Sequence, residues 1–357
     1  MTARRARVCL VSEVLHPPFD EGIRIYAASL AQALGGLCDL LLLGERRAEV
    51  AGRPVHGLLS NRWFLSTELA ARLRSFRPQA MVYVPWTSLT SRTLVRAAVL
   101  RRYAPRARLG IVALQPRRPD VLSRAAAAMG RPDVVVAAGP GAEGQARRLG
   151  LAVVRVPVGV DRDRFRPASE PVRAALRRRG GFSPQDVIVL HVGHMKASRN
   201  VQALAPMARL EGVRCLLVTS TSTRGDPVLA ESLRAAGVAV VVRHQDRMEL
   251  VYQMSDVYLF PVRSALDAME VPLSVLEAAA CGLPIVSTRF GGLQDVFGRD
   301  EGVVWADGAE EMLEAVRTLA AARRAGPLRA PRAEALGWDR VAARVLEAVL
   351  GPGGGPA

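Results

Sequence analysis

A helix start with free backbone amides is predicted in the stretch DAMEVPLSVLEAAACGLP, residues 267–284. Pro272 suits the first position of a helix and disfavours helical geometry in the residue before it, so a helix should begin here. The backbone amides of Leu273 and Ser274 would then have no partner within the first turn. Together with the helix dipole, such amides form a site that binds phosphate.

Two glutamates flank that helix start. Glu277 lies about one turn into the helix, where its carboxylate could accept hydrogen bonds from a vicinal diol such as a ribose, and Glu270 lies just before the helix. A single glutamate on a helix usually faces solvent. Here the segment CGLPIVST, residues 281–288, follows at once as a buried strand. The helix is therefore enclosed by the fold, which disfavours a purely solvated role for both carboxylates.

The stretch HVGHMKASRN, residues 191–200, contains the only lysine among the 49 basic residues of the chain, Lys196. A composition rich in alanine, glycine and arginine also explains a rare lysine. The position of Lys196 therefore gains significance only from its surroundings, which include a glycine, a histidine and Arg199.

Short apolar runs alternate with Ala/Leu/Arg segments along the chain. The runs of the first half are ARVCLVSE, CDLLLLG, AMVYVPW, RLGIVAL, DVVVAAG and AVVRVPVGV. After about residue 180 the pattern begins again with DVIVLHVG, VRCLLVTS, VAVVVRH, DVYLFPV, LPIVSTR and GVVWA. Unbroken apolar runs are typical of buried parallel strands, and strands that alternate with helices form right-handed β-α-β units. The pattern predicts two doubly wound α/β domains in tandem, with ligand sites in the loops that follow strands.

The positive charge is concentrated in the first half of the chain. Residues 1–166 hold 27 arginines and 12 acidic residues, the remainder is nearly balanced, and the formal net charge is +16. This excess favours an anionic partner: a membrane surface, a phosphorylated acceptor or nucleic acid. An arginine-biased soluble surface is the alternative. Aromatic residues interleaved with basic ones are sparse, which disfavours nucleic acid.

Cysteine usage and hydropathy favour a protein of the reducing cytoplasm. The four cysteines are scattered without paired spacing, which disfavours a disulfide framework and a zinc site. No apolar run reaches the ~18 residues that a membrane-spanning helix needs. The start of the sequence, MTARRARVCLVSEVLH, is interpreted as a first β-strand rather than a signal peptide, because Glu13 interrupts its apolar run.

The stretch 267–297 resembles the signature of retaining glycosyltransferases of the GT-B fold, in particular family 4 (glycosyl transferases group 1). Two glutamates bracket a helix start, EAAACGLP follows, and a GG loop comes next. Further segments resemble the same family: VPVGVDRDRFRP at residues 156–167, VLHVGHMKASRN at 189–200, HPPFDEGIRIYAASLAQAL at 16–34 and GWDRVAARVLEAVL at 337–350. The resemblance is highly specific in the second half of the chain and moderate in the first.

The resemblance implies the GT-B fold, in which two Rossmann-like doubly wound domains face each other across a cleft. It places an acceptor-side domain at residues 1–157 and a nucleotide-sugar-binding domain at 158–335. A closing helix over residues 336–350 is expected to pack back toward the N-terminal domain, and residues 351–357 are expected to form a disordered tail.

The implied activity is the retaining transfer of a hexose from a UDP- or GDP-sugar to a hydroxyl by front-face displacement, without a metal or cofactor. The implied catalytic residues are Glu270, Arg199 and Lys196. The implied donor-binding residues are Gly22, Gly193, His194, Arg199, Pro272, Leu273, Ser274 and Glu277. The two cations would neutralise the charge that develops on the leaving diphosphate.

The expected acceptor is a saccharide, a glycolipid or another small hydroxyl compound at the anionic inner face of a membrane. The segment LTSRTLVRAAVLRRYAPRAR, residues 89–108, would lie on that surface as a basic amphipathic helix. The nucleotide base is expected to meet the segment VVRHQDRMEL, residues 241–250.

Several positions depart from the family pattern. Six residues separate Glu270 from Glu277 where the family has seven, and Met269 occupies the expected place. His194 replaces an arginine, and Gln115 fills the place of a histidine near the transferred sugar. Glutamine can hydrogen-bond a sugar hydroxyl but cannot act as a general base. Two alternatives therefore stay open: a catalytically degenerate nucleotide-sugar-binding protein, and a GT-B-like epimerase or phosphorylase.

Three other features indicate different roles. GPGAEG, residues 139–144, fits the dinucleotide fingerprint G-x-G-x-x-G, although Pro140 removes one backbone amide. Asp161 and Asp163 mimic an Asp-x-Asp metal site, but their linker setting predicts a capping or structural role and no metal ligand. His16 borders the expected cleft, where it either touches the substrate or faces water.

Overall fold

The computed structural model describes residues 5–118, 120, 122–221, 225–331 and 337–351, and the fold is described for that part of the chain. It divides into two compact units. Unit 1 comprises Met1–Val158, Met269–Val271 and Leu336–Ala357, and unit 2 comprises Gly159–Ala268 and Pro272–Ala335. The division lies one residue beyond the expected boundary at residue 157. Of the expected tail, residues 352–357 lie outside the described part.

Unit 1 is built on an eight-stranded sheet. Its strands are β1 (Arg7–Val11), β2 (Asp39–Gly44), β3 (Ala48–Val50), β4 (Arg53–Gly57), β5 (Ala80–Tyr83), β6 (Arg108–Ala113), β7 (Val134–Ala137) and β8 (Val153–Arg155). The strand order is β3-β4-β2-β1-β5-β6-β7-β8, and of the paired strands only β3 and β4 run antiparallel within the described residues. Its first five helices are α1 (Gly22–Leu37), α2 (Thr67–Phe76), α3 (Ser91–Tyr103), α4 (Ser123–Gly130) and α5 (Pro140–Arg148).

Unit 2 is built on a six-stranded parallel sheet with the order β11-β10-β9-β12-β13-β14. Its strands are β9 (Val187–Val192), β10 (Val213–Thr219), β11 (Ala239–Val242), β12 (Val257–Phe260), β13 (Ile285–Ser287) and β14 (Val303–Trp305). Its helices are α6 (Glu170–Arg179), α7 (Leu204–Met207), α8 (Pro227–Ala235), α9 (Met248–Met254), α10 (Leu273–Ala280), α11 (Leu293–Phe297) and α12 (Ala309–Ala325). Two 3-10 turns, Ala197–Arg199 and Val201–Ala203, follow β9.

Each sheet has a topological switch point, where the winding reverses between two neighbouring strands. In unit 1 the switch lies between β1 and β5, and in unit 2 it lies between β9 and β12. Ligands of open α/β sheets bind in the crevice outside the carboxyl ends of such strands. The loops that follow these four strands therefore define where a site is expected in each unit.

The last helix of the chain, α13 (Trp338–Leu350), belongs to unit 1. The ring of Trp338 packs edge-on against Tyr26 of α1, with ring centroids 5.3 Å apart. A side chain at Gly110 of β6 would lie 2.3 Å from Cγ2 of Val349, so only glycine allows the helix to approach the sheet this closely.

A buried aspartate holds the helices of unit 2 to its sheet. The side chain of Asp256, just before β12, is fully buried and accepts a hydrogen bond from the Ile188 amide of β9 at 2.8 Å. It also forms ion pairs with the guanidinium groups of Arg173, Arg177 and Arg323. Three arginines around one buried carboxylate compensate the loss of its hydration.

The two doubly wound domains predicted from the apolar runs are confirmed, and each of the twelve predicted strands is present. The short strands β3 and β4 were not predicted, because the segment AEVAGRPVHG contains polar residues, a proline and no apolar run. The four cysteines are free and buried. None of the described helices combines the length and the apolar character needed to cross a bilayer.

Candidate functional site

The switch point of unit 2 brings the two predicted binding elements together. The Tyr258 hydroxyl, on β12, donates a hydrogen bond to the Val192 carbonyl oxygen at the end of β9, at 3.3 Å. Burial raises the pKa of the same hydroxyl, and the nearby side chain of Ser274 in the first turn of α10 lowers it. Tyr258 therefore connects the strand that leads into the loop 193–200 with the start of α10, and the candidate site lies around this connection.

The start of α10 presents backbone amides, as predicted. Pro272 has extended geometry and directly precedes the helix, so α10 begins at Leu273, one residue later than the sequence suggested. The first intrahelical bond runs from the Val275 amide to the Pro272 carbonyl oxygen at 3.1 Å. The amides of Leu273 and Ser274 precede that bond and have no acceptor within the helix, which is the arrangement that binds a phosphate oxygen.

Glu277 is a buried carboxyl on α10. Its side chain is 9% exposed, and the hydroxyl of Tyr252 donates a hydrogen bond to Oε2 at 2.8 Å. Burial raises the pKa of Glu277 to about 7, although the Tyr252 hydrogen bond and the positive charge of Arg164 oppose the shift. The carboxyl therefore changes charge near neutral pH, and a ligand that donates two hydroxyl hydrogens would favour its ionised form.

The cationic loop after β9 is held by Asp267. The Nη2 group of Arg199 donates to the Asp267 carbonyl oxygen, and the Ser198 hydroxyl donates to Oδ1 of the same residue at 2.9 Å. Arg199 is partly buried, whereas Lys196 is exposed. The structure thus anchors the predicted arginine at the site and leaves the predicted lysine at the surface.

Steric crowding explains why residue 193 of this loop is a glycine. A Cβ atom on Gly193 would lie 2.9 Å from Nη1 of Arg199 and 3.1 Å from Nε2 of His191. Any side chain at this position would displace the arginine. His194, the next residue, is half-buried, and its predicted contact with the donor stays a prediction.

Glu270 lies in a different place from the other predicted site residues. It belongs to unit 1, where its backbone amide donates to the Leu114 carbonyl oxygen at 2.9 Å. Its buried carboxylate accepts hydrogen bonds from the amides of Gly141 at 2.6 Å and Ala142 at 2.8 Å. The structure therefore gives Glu270 the role of an N-terminal cap of α5, and the predicted catalytic role stays a prediction.

The GPGAEG motif is explained by the same contact. Its glycines let the Glu270 side chain reach the helix, because a Cβ atom on Gly139 or Gly141 would lie within 2.8 Å of that side chain. The amides that would hold a pyrophosphate in a dinucleotide-binding protein are occupied by a carboxylate. The dinucleotide interpretation of this motif is therefore disfavoured.

Gly22 lies at the first position of α1 in unit 1. A Cβ atom there would lie 2.8 Å from Sδ of Met269, so the glycine admits the segment Met269–Val271. The predicted contact between Gly22 and the donor stays a prediction.

The switch point of unit 1 holds a polar cluster that the sequence did not indicate. Glu13 follows β1 and is 9% exposed, and burial raises its pKa. Its Oε1 atom accepts hydrogen bonds from Nη1 of Arg96 at 2.8 Å and from the Trp86 amide at 3.2 Å. Nearby, the guanidinium of Arg24 lies 5.9 Å from the centroid of the Trp86 ring and contacts Nδ1 of His16 at 3.2 Å.

The side chains of Gln115 and Asp161, two residues singled out in the sequence, both accept hydrogen bonds from nearby residues. Gln115 is buried, and its Oε1 atom accepts a hydrogen bond from Arg117 at 3.0 Å. The Asp161 side chain accepts hydrogen bonds from the Asp163 and Arg164 amides at 3.2 and 3.0 Å. The predicted capping role of Asp161 is confirmed. No cluster of three or more potential metal-ligating His, Cys, Asp or Glu side chains occurs among the residues that the structure covers.

Sequence reasoning missed the residues that hold the site from within the core. Tyr252 orients Glu277, Tyr258 bridges the two elements, and His191 lies beneath Gly193. All three are apolar or aromatic positions of a helix or strand in the sequence pattern. Nothing in their spacing distinguishes them from ordinary core residues.

Comparison with known families agrees with this geometry. Residues 186–322, which contain the loop 193–200 and α10, match the family model described as Glycosyl transferases group 1. This segment is a glycosyl transferases group 1 domain. The resemblance to glycosyl transferases group 1 is therefore confirmed for this domain, which carries Gly193, Arg199 and Glu277. The retaining mechanism stays a prediction.

The curated relatives of this chain are named as glycosyltransferases. The chain is 31% identical over 212 residues to D-inositol 3-phosphate glycosyltransferase of Paenarthrobacter aurescens (strain TC1), which covers 54% of this chain and 50% of the relative. It is 30% identical over 155 residues to GDP-mannose-dependent alpha-(1-6)-phosphatidylinositol monomannoside mannosyltransferase of Mycolicibacterium smegmatis. That match covers 40% of this chain and 39% of the relative. The chain thus spans half or less of the length of these relatives.

Solved structures extend the likeness beyond the group 1 domain to both units. Anabaena HepE in complex with UDP superposes with a TM-score of 0.71 at 13% identity, covering 96% of this chain and 98% of that one. Sucrose-phosphate synthase from Thermosynechococcus elongatus superposes with a TM-score of 0.73 at 16% identity, covering 96% and 97%. These are GT-B proteins, so the predicted GT-B fold class is confirmed.

Proposed function

We propose that the protein is a retaining glycosyltransferase that moves a hexose from a nucleoside diphosphate sugar to a hydroxyl group. One observation carries the proposal. In unit 2, a buried carboxyl (Glu277), a helix start with free amides (Leu273 and Ser274) and an anchored arginine (Arg199) surround the switch point of one parallel sheet. These groups match a ribose diol and a diphosphate.

The proposed chemistry depends on charge rather than on a metal. As the bond between the sugar and the diphosphate breaks, negative charge grows on the leaving diphosphate. The amides of α10 and the guanidinium of Arg199 would stabilise that charge because they are already oriented toward it. Loss of one such donor typically costs ~3–4 kcal/mol of transition-state stabilisation. Lys196, which is exposed, would contribute as a mobile point charge.

For the substrates, we propose a UDP- or GDP-sugar as the donor and a phosphorylated polyol or a glycolipid as the acceptor. The names of the relatives support this choice, since they include transferases acting on D-inositol 3-phosphate and on phosphatidylinositol mannosides. The arginine excess of residues 1–166 also favours an anionic acceptor. A cytoplasmic location at the inner face of the membrane fits such an acceptor.

A second candidate function is a donor-binding protein that has lost catalysis. The position of Glu270 favours it, because both carboxylate oxygens accept hydrogen bonds from the start of α5. Such a protein would bind a nucleotide sugar in unit 2 without turnover.

A thermal-unfolding screen tests donor binding, which both candidate functions require. We expect one family of nucleotides, uridine or guanosine diphosphates and their sugars, to raise the melting temperature, because a ligand at ~100 times its Kd adds ~2.7 kcal/mol of stability. Glu277→Ala should abolish the response. A protein that no nucleotide diphosphate stabilises would contradict the proposal.

Turnover is then measured with the stabilising donor and with inositol phosphates or phosphatidylinositol as acceptors. Release of the nucleoside diphosphate, with the anomeric configuration of the product identical to that of the donor, is expected for a retaining transferase. Binding without any release would favour the degenerate protein, and an inverted anomer would contradict the retaining mechanism.

A further inference from the structure

His191 is a fully buried histidine near the end of β9. Its Nδ1 atom lies 2.8 Å from the Leu259 carbonyl oxygen. A carbonyl oxygen can only accept a hydrogen bond, so Nδ1 carries the proton and Nε2 of the neutral ring carries a lone pair. That Nε2 atom is buried and has no hydrogen-bond partner.

The unpaired nitrogen lies beside the arginine of the candidate site. Nε2 of His191 and Nη1 of Arg199 lie 3.1 and 2.9 Å from the same point, the position that a Cβ atom on Gly193 would occupy. The two nitrogens are therefore at most about 6 Å apart, on the same side of the glycine. An acceptor and a donor are thus close together, and Nε2 of His191 accepts no hydrogen bond from Arg199 in the described structure.

An apolar ring would fill the space of the His191 imidazole at a lower cost in free energy. The imidazole is packed between aromatic rings, with the Tyr258 and Phe260 centroids at 6.4 and 6.3 Å. A buried acceptor without a partner is unfavourable compared with a phenyl ring of similar shape. The cost is explained if the acceptor finds its donor in another state of the protein.

We propose that His191 is a positioning residue for Arg199: when Arg199 binds a diphosphate, its Nη1–H group donates to Nε2 of His191. The guanidinium has five N–H donors in a planar fork, so it can bind the phosphate with one edge and the imidazole with another. In the described state its Nη2 group is bound to the Asp267 carbonyl oxygen instead. This inference rests on the proposed function, because it requires a diphosphate ligand.

His191 keeps its lone pair across the physiological range. The pKa of the ring is lowered to about 4: burial is the main cause, the hydrogen bond to the Leu259 carbonyl oxygen opposes the shift, and the positive charge of Arg199 adds to it. The groups that face the ring are Arg199, the Leu259 carbonyl oxygen, Tyr258 and Phe260. The imidazole is therefore an acceptor for the arginine and not a second cation that repels it.

Calorimetric titration with UDP, GDP, uridine and guanosine tests the proposal on matched variants. His191→Phe keeps the ring packing and removes the lone pair, whereas His191→Gln keeps an acceptor oxygen at the end of the side chain. We expect His191→Phe to weaken binding of the diphosphate roughly tenfold, the effect of one charge-assisted hydrogen bond. Binding of the nucleoside should be unchanged, and His191→Gln should keep most of the affinity.

A double-mutant cycle with Arg199→Ala identifies the partner. If His191 acts through Arg199, His191→Phe has no further effect on diphosphate binding once Arg199 is truncated. Additive losses, equal losses for nucleoside and diphosphate, or full affinity in His191→Phe would overturn the inference while leaving the proposed function intact. If the unmodified protein binds neither UDP nor GDP, the proposed function fails and the inference fails with it.

Discussion

Burial determines the charge of Glu277, and its charge determines what the residue can bind. A carboxyl with a pKa of about 7 in the folded protein binds its proton more tightly than the same group in the unfolded chain. Between about pH 4.5 and pH 7 the native state therefore holds more protons than the unfolded state, and its stability falls as the pH rises through this window. A site that keeps such a group gives up stability in exchange for a strong acceptor.

The affinity for a nucleotide sugar should depend on pH through Glu277. The ribose diol donates hydrogen bonds and needs the ionised carboxylate, so affinity should rise roughly tenfold between pH 6 and pH 8 if the free protein titrates near 7. A nucleotide sugar is the better ligand for this titration, because it lacks the terminal phosphate proton of UDP or GDP.

Glu277→Gln is the matched control, since the amide keeps the shape of the side chain and cannot titrate. We expect calorimetric affinities of this variant to be weaker and nearly independent of pH. An equally steep pH dependence in Glu277→Gln would show that another group is responsible.

At the scale of the elements, Glu270 and helix α5 show why the sequence could not define the whole site. The apolar runs predicted twelve strands, because burial on both faces of a parallel sheet leaves a local pattern. The helix start at Pro272 was predicted to within one residue for the same local reason. Glu270, however, lies between residues of unit 2 in the sequence and packs in unit 1. Its partners are more than 100 residues away along the chain, so no local pattern indicates them.

Glu270→Gln should destabilise unit 1. The amide can accept only one of the two hydrogen bonds from the start of α5, and its NH₂ group would face a backbone donor. We expect a loss of about 1–2 kcal/mol in the free energy of unfolding, measured by urea denaturation. Unchanged stability together with abolished turnover would instead support the catalytic role that the family resemblance implies.

Glu143→Gln is a suitable control for that measurement. Glu143 also lies in the first turn of α5 but forms ion pairs with the exposed arginines Arg147 and Arg155. Exposed pairs contribute at most about 1 kcal/mol, so this variant should unfold nearly as the unmodified protein does.

At the scale of the whole molecule, the main feature is the uneven charge. Nearly all of the net charge of +16 comes from residues 1–166. The sequence shows this asymmetry directly, because charged residues can be counted along the chain. The polar cluster of Glu13, Arg24 and Trp86 could not be predicted in the same way, since these residues come together only through the fold of unit 1.

We predict that the protein binds vesicles containing anionic lipid at low ionic strength and not vesicles of neutral lipid. Each basic residue near such a surface contributes about 1 kcal/mol, and the attraction weakens strongly when ~1 M salt shortens the screening length to ~3 Å. A flotation assay measures the bound fraction. Equal binding to neutral vesicles, or no binding to anionic ones at low salt, would contradict an electrostatic membrane association.

Unit 2 is proposed to bind the diphosphate of a sugar donor, and a crystal structure with UDP or GDP would show whether it does. We predict density for the diphosphate at the amides of Leu273 and Ser274 and at the guanidinium of Arg199, with the ribose hydroxyls on Glu277. A nucleotide bound elsewhere, or no bound nucleotide at saturating concentration with Arg199 still on Asp267, would contradict a donor site in unit 2.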